Sequence, residues 1–186
     1  DLWINTHVMG GTMYITADIA LQGSDKLVII VWSGHKIVNL QTVAKCEANE
    51  VEVLLKTIAE KWKVGRSNIV YDADGLGTFL RGYLKGAKPF NNGGRPIKQK
   101  GRDVNYKNLK SQCGFKLATT INDRSIFIDC EVDKGLVIKE LECLQSYALD
   151  NEGKIQVMPK AKIKEVIGHS PDILDALVMR MYFDIK

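Results

Sequence analysis

The stretch Tyr14-Ile15-Thr16-Ala17-Asp18-Ile19-Ala20-Leu21 constrains this chain more than any other. Its β-branched and aromatic residues alternate with period two. Gly10-Gly11 opens it and Gly23-Ser24 closes it, so it reads as a strand. Ile15, Ala17, Ile19 and Leu21 share one face; Tyr14, Thr16, Asp18 and Ala20 share the other. A carboxylate in the middle of such a strand is half-buried, at a cost of several kcal/mol unless a cation or a full set of donors meets it. Asp18 is therefore the first candidate functional residue.

The segments that follow build a sheet around it. Gly23-Ser24-Asp25 makes a tight turn, with Asp25 bracing it, into the nearly continuous apolar run Lys26–Trp32. Such a run suits a strand covered on both faces. Ser33-Gly34-His35 turns into a third strand, Lys36–Ala44, and short turns of this kind predict an antiparallel meander. Val51, Leu54, Leu55, Ile58, Ala59 and Trp62 recur at helical spacing, which predicts an amphipathic helix over Glu47–Val64 ended by Gly65. Ser67–Asp72 is a short apolar strand that also ends in acid, at Asp72 and then Asp74. Arriving after a crossover helix, it is expected to run parallel to the first strand.

Further on, a helix carries Phe79, Leu80, Tyr83 and Leu84, and Lys88–Lys107 is the poorest stretch for regular structure. Asn108–Asn122 reads as a helix, Arg124–Asp129 as a strand, and Leu136–Leu149 as a helix with Val137, Leu141, Leu144 and Ala148 inward. Asn151-Glu152-Gly153 turns into a strand over Lys154–Met158. The last segment has a helix-start signature, Ser170 as N-cap and Pro171 at the first helical position. Asp172 and Asp175 then share a face, opposite a buried stripe of Leu174, Leu177, Val178 and Met181. Taken alone, Asp172 is explained by its favourable place against the helix dipole.

Length and composition bound the rest. At 186 residues the chain is expected to be one domain with a sizeable core. Opening at Asp1-Leu2-Trp3 without Met, it reads as a piece of something longer. Apolar residues are 45% and charged residues 26%, an ordinary globular balance, and no apolar run reaches the roughly 18–20 residues a membrane span needs. Cys46, Cys113, Cys130 and Cys143 are widely spaced, as expected of free thiols in a reducing compartment. Net charge is +4, but Arg81–Lys116 holds ten Lys/Arg against the single acid Asp103, leaving the other 150 residues at −5. A basic segment in an acidic body is an electrostatic footprint for a polyanion, or else a solvated surface loop.

Asp18, Asp72 and Asp172 lie where a parallel neighbour or a packed helix can bring them together. Two carboxylates about 4 Å apart repel by roughly 4 kcal/mol at an effective dielectric near 20. Three together are untenable without divalent metal. Oxygen ligands with open positions suit Mg²⁺ or Mn²⁺, and a pair of ions about 4 Å apart suits phosphodiester hydrolysis. Gly75 and Gly77 invite a phosphate-loop reading, but no Lys-Ser/Thr follows and GxxxxGK[ST] occurs nowhere in the chain.

Three motifs carry a resemblance: Ala17-Asp18 through Gly23-Ser24-Asp25 with the strand that follows; Val70-Tyr71-Asp72-Ala73-Asp74-Gly75-Leu76-Gly77; and Gly168-His169-Ser170-Pro171-Asp172-Ile173-Leu174-Asp175-Ala176-Leu177. With the order of elements, they resemble an RNase H-like α/β fold, an antiparallel three-strand meander plus parallel strands flanked by helices. More narrowly, the whole chain resembles the nuclease domain of the large subunit of tailed-bacteriophage or prophage DNA-packaging terminases. The last motif is the most specific.

The resemblance implies a single nuclease domain over residues 1–186, C-terminal to an ATPase motor, with a basic excursion at 88–107. It implies that Asp18, Asp72 and Asp172 are catalytic metal ligands for two Mg²⁺ or Mn²⁺ ions. Asp175, Asp74 and His169 are further candidates for metal contact, direct or through water. The family often has an acid just before the third ligand, where this chain has Pro171. Lys98, Lys100, Arg102 and Lys107, with Arg95, are expected to hold DNA phosphates without reading sequence. The implied function is endonucleolytic cutting of concatemeric viral DNA during packaging, with little sequence preference. Partners would be double-stranded DNA, the ATPase domain, a small terminase subunit and a portal, in the cytoplasm of an infected bacterial host and away from membrane. The alternatives are another RNase H-like nuclease of resolvase or transposase/integrase type, or a catalytically silent DNA-binding assembly module.

Overall fold

The apolar strands of the first third of the chain form the middle of one mixed sheet. The computed structural model describes residues 1–20, 26–44, 47–74 and 78–186. The turn at Gly23–Asp25, Leu21, Cys46, Gly75 and Gly77 lie outside the described residues. Strands β1 (Met13–Asp18), β2 (Leu27–Ser33) and β3 (Lys36–Val43) make the expected antiparallel meander. After helix α1 (Ala48–Lys61), strand β4 (Ile69–Asp72) pairs parallel to β1, also as expected.

Helix α2 (Leu80–Tyr83) leads to β5 (Lys88–Phe90), parallel to β4 at one edge of the sheet. Helix α3 (Leu109–Asn122) precedes β6 (Phe127–Ile128), parallel to β3 at the other. The order is β5-β4-β1-β2-β3-β6. Helix α4 (Lys134–Leu141), a two-stranded ribbon of β7 (Ser146–Tyr147) and β8 (Gln156–Val157), and helices α5 (Lys160–Ile167) and α6 (Asp172–Arg180) complete the chain.

Alternation along the strands divides the core in two. Ile15, Ala17, Ile29, Val31, Ile69 and Tyr71 face α1 through Val51, Leu55 and Ile58. Val28, Ile30, Trp32 and Val70 face the other way, onto α3, α4, α5 and α6. On that second face, Thr16 accepts a hydrogen bond from the Trp32 indole at 3.2 Å. Asp18, two residues on, belongs to the same face. Helix α6 packs there against β1, β2 and β4 and is buried from end to end, not on a stripe alone.

Several expectations differ in detail. β1 stops at Asp18, so the aspartate ends the strand and does not interrupt it. Residues 88–107 are less irregular than their Pro and Gly suggest. Pro89 sits in β5, where an edge strand tolerates the missing N–H, and Gln99 and Arg102 pair across a two-residue turn in which Lys100 and Gly101 both take positive φ. Helix α1 ends at Lys61, and Lys63, not Gly65, takes the left-handed backbone while the Val64 N–H closes on Ala59. The helix expected to run to Leu149 stops at Leu141, because the segment after it is drawn into the β7–β8 ribbon. Helix α5 carried no expectation at all. Cys113, Cys130 and Cys143 are free thiols. Among the described residues no helix is long and apolar enough to cross a membrane.

Candidate active site

Parallel pairing fixes the first two acids side by side. Ala17 pairs with Tyr71, so Asp18 and Asp72, each the last residue of its strand, leave the sheet together at the same end. The two carboxyls are close enough to act on one another electrostatically. Burial pushes Asp18 well above the usual carboxylate range, and Asp175, Asp72 and Asp172 push it further against the pull of Lys160. Burial also raises Asp72, partly offset by the Asp74 backbone N–H.

Helix α6 delivers Asp172 and Asp175 one turn apart on the face that meets β1 and β4. Both are only 5% exposed, and Asp18 only 3%. The Lys26 backbone N–H donates to Asp172 Oδ2 at 2.8 Å, tying the start of β2 to the start of α6. Asp172 Oδ1 is buried without a hydrogen-bond partner.

Lysine 160, at the start of α5, stands between these acids. Its Nζ lies 3.1 Å from Asp175 Oδ2, 3.6 Å from Asp172 Oδ1 and 3.9 Å from Asp18 Oδ2. Against the desolvation of burial, Asp175, Asp18 and Asp172 hold its ammonium above the ordinary lysine range. Lys110 Nζ approaches the other Asp175 oxygen at 2.5 Å. Asp175 is thus held by two ammonium groups. Neither lysine was singled out from the sequence as a site residue. Lys160 lies in an unassigned segment, and Lys110 was counted only within the basic run.

The remaining candidates sit at the margins. Asp74 is exposed and accepts the Asn92 N–H on Oδ2 at 2.9 Å. His169 meets Glu140: its Nδ1 is 2.8 Å from the Ser170 carbonyl and 3.7 Å from Glu140 Oε1. Ser170 Oγ makes no hydrogen bond, so it does not cap α6 as its position suggested. Glu140, from α4, takes that role: its Oε2 accepts the Leu174 N–H at 2.9 Å, and the Ile173 N–H also meets it. Burial lifts Glu140 to about 7.

Of the basic candidates, Lys98 pairs with Asp103 at 3.3 Å, and Lys98, Lys100 and Arg102 line an open cleft of about 950 Å³ with Lys186. Lys107 Nζ donates to Gln156 Oε1 at 2.9 Å, beside the ribbon. Arg95 is exposed.

Among the described residues, no three His, Cys, Asp or Glu side chains converge tightly enough to hold an ion as they stand. The carboxylates instead surround the Lys160 ammonium. The donor set nevertheless suits a hard divalent cation, since it is all oxygen. The orphaned Asp172 Oδ1 lacks the partner a buried carboxylate oxygen needs, and Lys160 marks where positive charge is wanted.

The sequence matches no family model and no curated protein. Solved structures do match. The nuclease domain of the large terminase subunit gp2 of bacterial virus Sf6 superposes with a TM-score of 0.79 at 20% identity, over 97% of this chain and 94% of its own. A mutant of that domain with manganese and beta-thujaplicinol gives 0.76 at 21% identity, over 92% and 88%. The large terminase nuclease from thermophilic phage G20c gives 0.61 at 17% identity, over 92% and 81%. The likeness agrees with the resemblance carried by the three motifs. The chain therefore has the fold of the nuclease domains of phage large terminase subunits.

Proposed function

We propose that this chain is a divalent-metal-dependent endonuclease that cuts double-stranded viral DNA during genome packaging, with little sequence preference. The observation that carries the reading is the meeting of Asp18, Asp172 and Asp175 around one ammonium group, with Asp72 brought beside Asp18 by the parallel pairing of β1 and β4. Neighbours of the same fold were solved with manganese and with magnesium. Asp18, Asp72 and Asp172 would hold two such ions, which when bound supply Lewis-acid activation of water and stabilisation of the leaving oxygen.

The chain's own residues set the geometry. Asp18 and Asp72 present carboxylates from a rigid sheet, and Lys26 and Glu140 hold the start of α6 so that Asp172 faces them. Lys160 balances the acids and must give way to a divalent ion. Asp175, paired with Lys110, steadies the far side. Lys98, Lys100, Arg102, Lys107 and Arg95 would hold the duplex by its phosphates, which sets orientation and carries no sequence preference. Nothing in the three motifs marks a Ser, Tyr or Cys as an activated nucleophile, so hydrolysis by water without a covalent enzyme intermediate is the chemistry that fits. The ATPase domain, the small terminase subunit and the portal belong to the same reading, which places the protein in the host cytoplasm.

The test is nicking of supercoiled plasmid. Wild type should nick with Mn²⁺ and not with EDTA. Asp18→Asn should lose more than about a hundredfold, exceeding the usual loss for a group beyond the metal's own ligands. Equal behaviour of wild type and variant would contradict the reading and favour a silent assembly module. Strong preference for four-way junctions over plain duplex would favour a resolvase-like enzyme.

A further inference from the structure

The 88–107 excursion, read from sequence as a DNA guide, also reaches into the acid cluster through Asn92. The Asn92 side-chain amide donates to Asp72 Oδ1 at 3.2 Å, and the Asp74 backbone N–H donates to that same oxygen at 2.9 Å. Both donors fall on Oδ1, so Oδ2 is the oxygen left to meet a cation. The Asn92 backbone N–H meanwhile binds Asp74 Oδ2 at 2.9 Å, and its carbonyl accepts the Lys110 N–H at 3.2 Å. Lys110 is the residue whose ammonium pairs with Asp175.

One partly buried residue thus touches three parts of the site: a carboxylate at the end of β4, the acid two residues after it, and the start of α3. Its own position is fixed from both sides. Phe90 O accepts the Ala73 N–H, and Gly94 O accepts the Leu109 N–H. An amide donor on one oxygen of a ligating carboxylate fixes the rotation of that carboxylate and selects the oxygen that ligates. Outer partners of this kind commonly contribute ten- to hundredfold in metal affinity.

The geometry points to Asn92 as a positioning residue for divalent-metal binding, setting the rotation of the Asp72 carboxylate while its backbone joins Asp74 and the start of α3. This inference rests on the metal-dependent reading above.

The test uses Mn²⁺ alone as probe, followed by electron paramagnetic resonance, with thermal unfolding of the same samples in EDTA. Asn92→Ala and the near-isosteric Asn92→Leu both remove the amide donor and keep the backbone contacts, and the second serves if the first disturbs the turn. Mn²⁺ affinity should fall about tenfold or more in either folded variant, with the metal-free melting temperature close to wild type. A merely structural Asn92 would lower the melting temperature and leave affinity alone, and that result overturns the inference. Asp72→Asn separates the two claims. If it loses Mn²⁺ while both Asn92 variants bind as wild type, Asn92 has no positioning role and the metal reading stands. If Asp72→Asn also binds as wild type, the metal reading fails and the inference fails with it.

Discussion

A single ammonium cannot neutralise the charge gathered around it. Lys160 meets Asp18, Asp172 and Asp175, and Lys110 meets Asp175 again, so with Asp72 beside Asp18 four carboxyls stand against two ammonium groups, an excess that burial relieves by favouring the protonated form of Asp18. A divalent ion corrects that excess better than a lysine does. Lys160→Ala should therefore strengthen Mn²⁺ binding while lowering metal-free stability by about 1–3 kcal/mol, the cost of unpaired acids reduced by partial solvent access. Mn²⁺ titration and thermal unfolding in EDTA check the two halves. If neither moves, the lysine is not standing in for an ion. The three aspartates could be singled out in the sequence because each was read at a place where a carboxylate is anomalous or pre-positioned: the middle of an apolar strand, a strand end, or a helix start. Lys160 was not, because it follows Pro159 in a run of alternating lysines that reads as ordinary surface. Only long-range convergence gives it meaning.

Helix α6 shows the same division between local and distant signals. Its start was legible from Ser170-Pro171 and its buried face from Leu174, Leu177 and Val178. The capping group was not, since Glu140 reaches Leu174 from 34 positions earlier in the chain. Burial raises Glu140 from 4.5 to about 7. Between those values the folded protein keeps a proton that the unfolded chain has released. Stability from this group is therefore fully present below about pH 4.5 and is lost as pH rises through about 7. Glu140→Gln, which keeps an acceptor for the Leu174 N–H, should flatten that slope, removing a change on the order of 3 kcal/mol across the window. Urea unfolding at a series of pH values measures it. An unchanged slope would mean that Glu140 stays ionised throughout. Strand β5 was missed for a related reason: its three residues contain Pro89, and only the pairing of Val70–Asp72 with Lys88–Phe90 makes them a strand.

Across the whole molecule, the sheet order was legible up to β4 because each strand there is apolar and bounded by turn residues. Later elements depend on partners far away in sequence: β6 on β3, and the β7–β8 ribbon on α3. The basic run likewise divides in space. Lys110 joins the acids, Lys107 meets the ribbon, and Lys98, Lys100 and Arg102 gather at a tight turn by the open cleft. A charge count along the chain cannot make that separation.

All of this turns on the idea that one end of the sheet gathers acids to bind divalent ions. Diffraction from Mn²⁺-soaked crystals, with the ions located by anomalous scattering, tests it most directly. The account predicts manganese ligated by Asp18, Asp72 and Asp172, with the Lys160 ammonium moved out of the cluster. Lys160 still seated among the acids, with manganese elsewhere or absent, would contradict it.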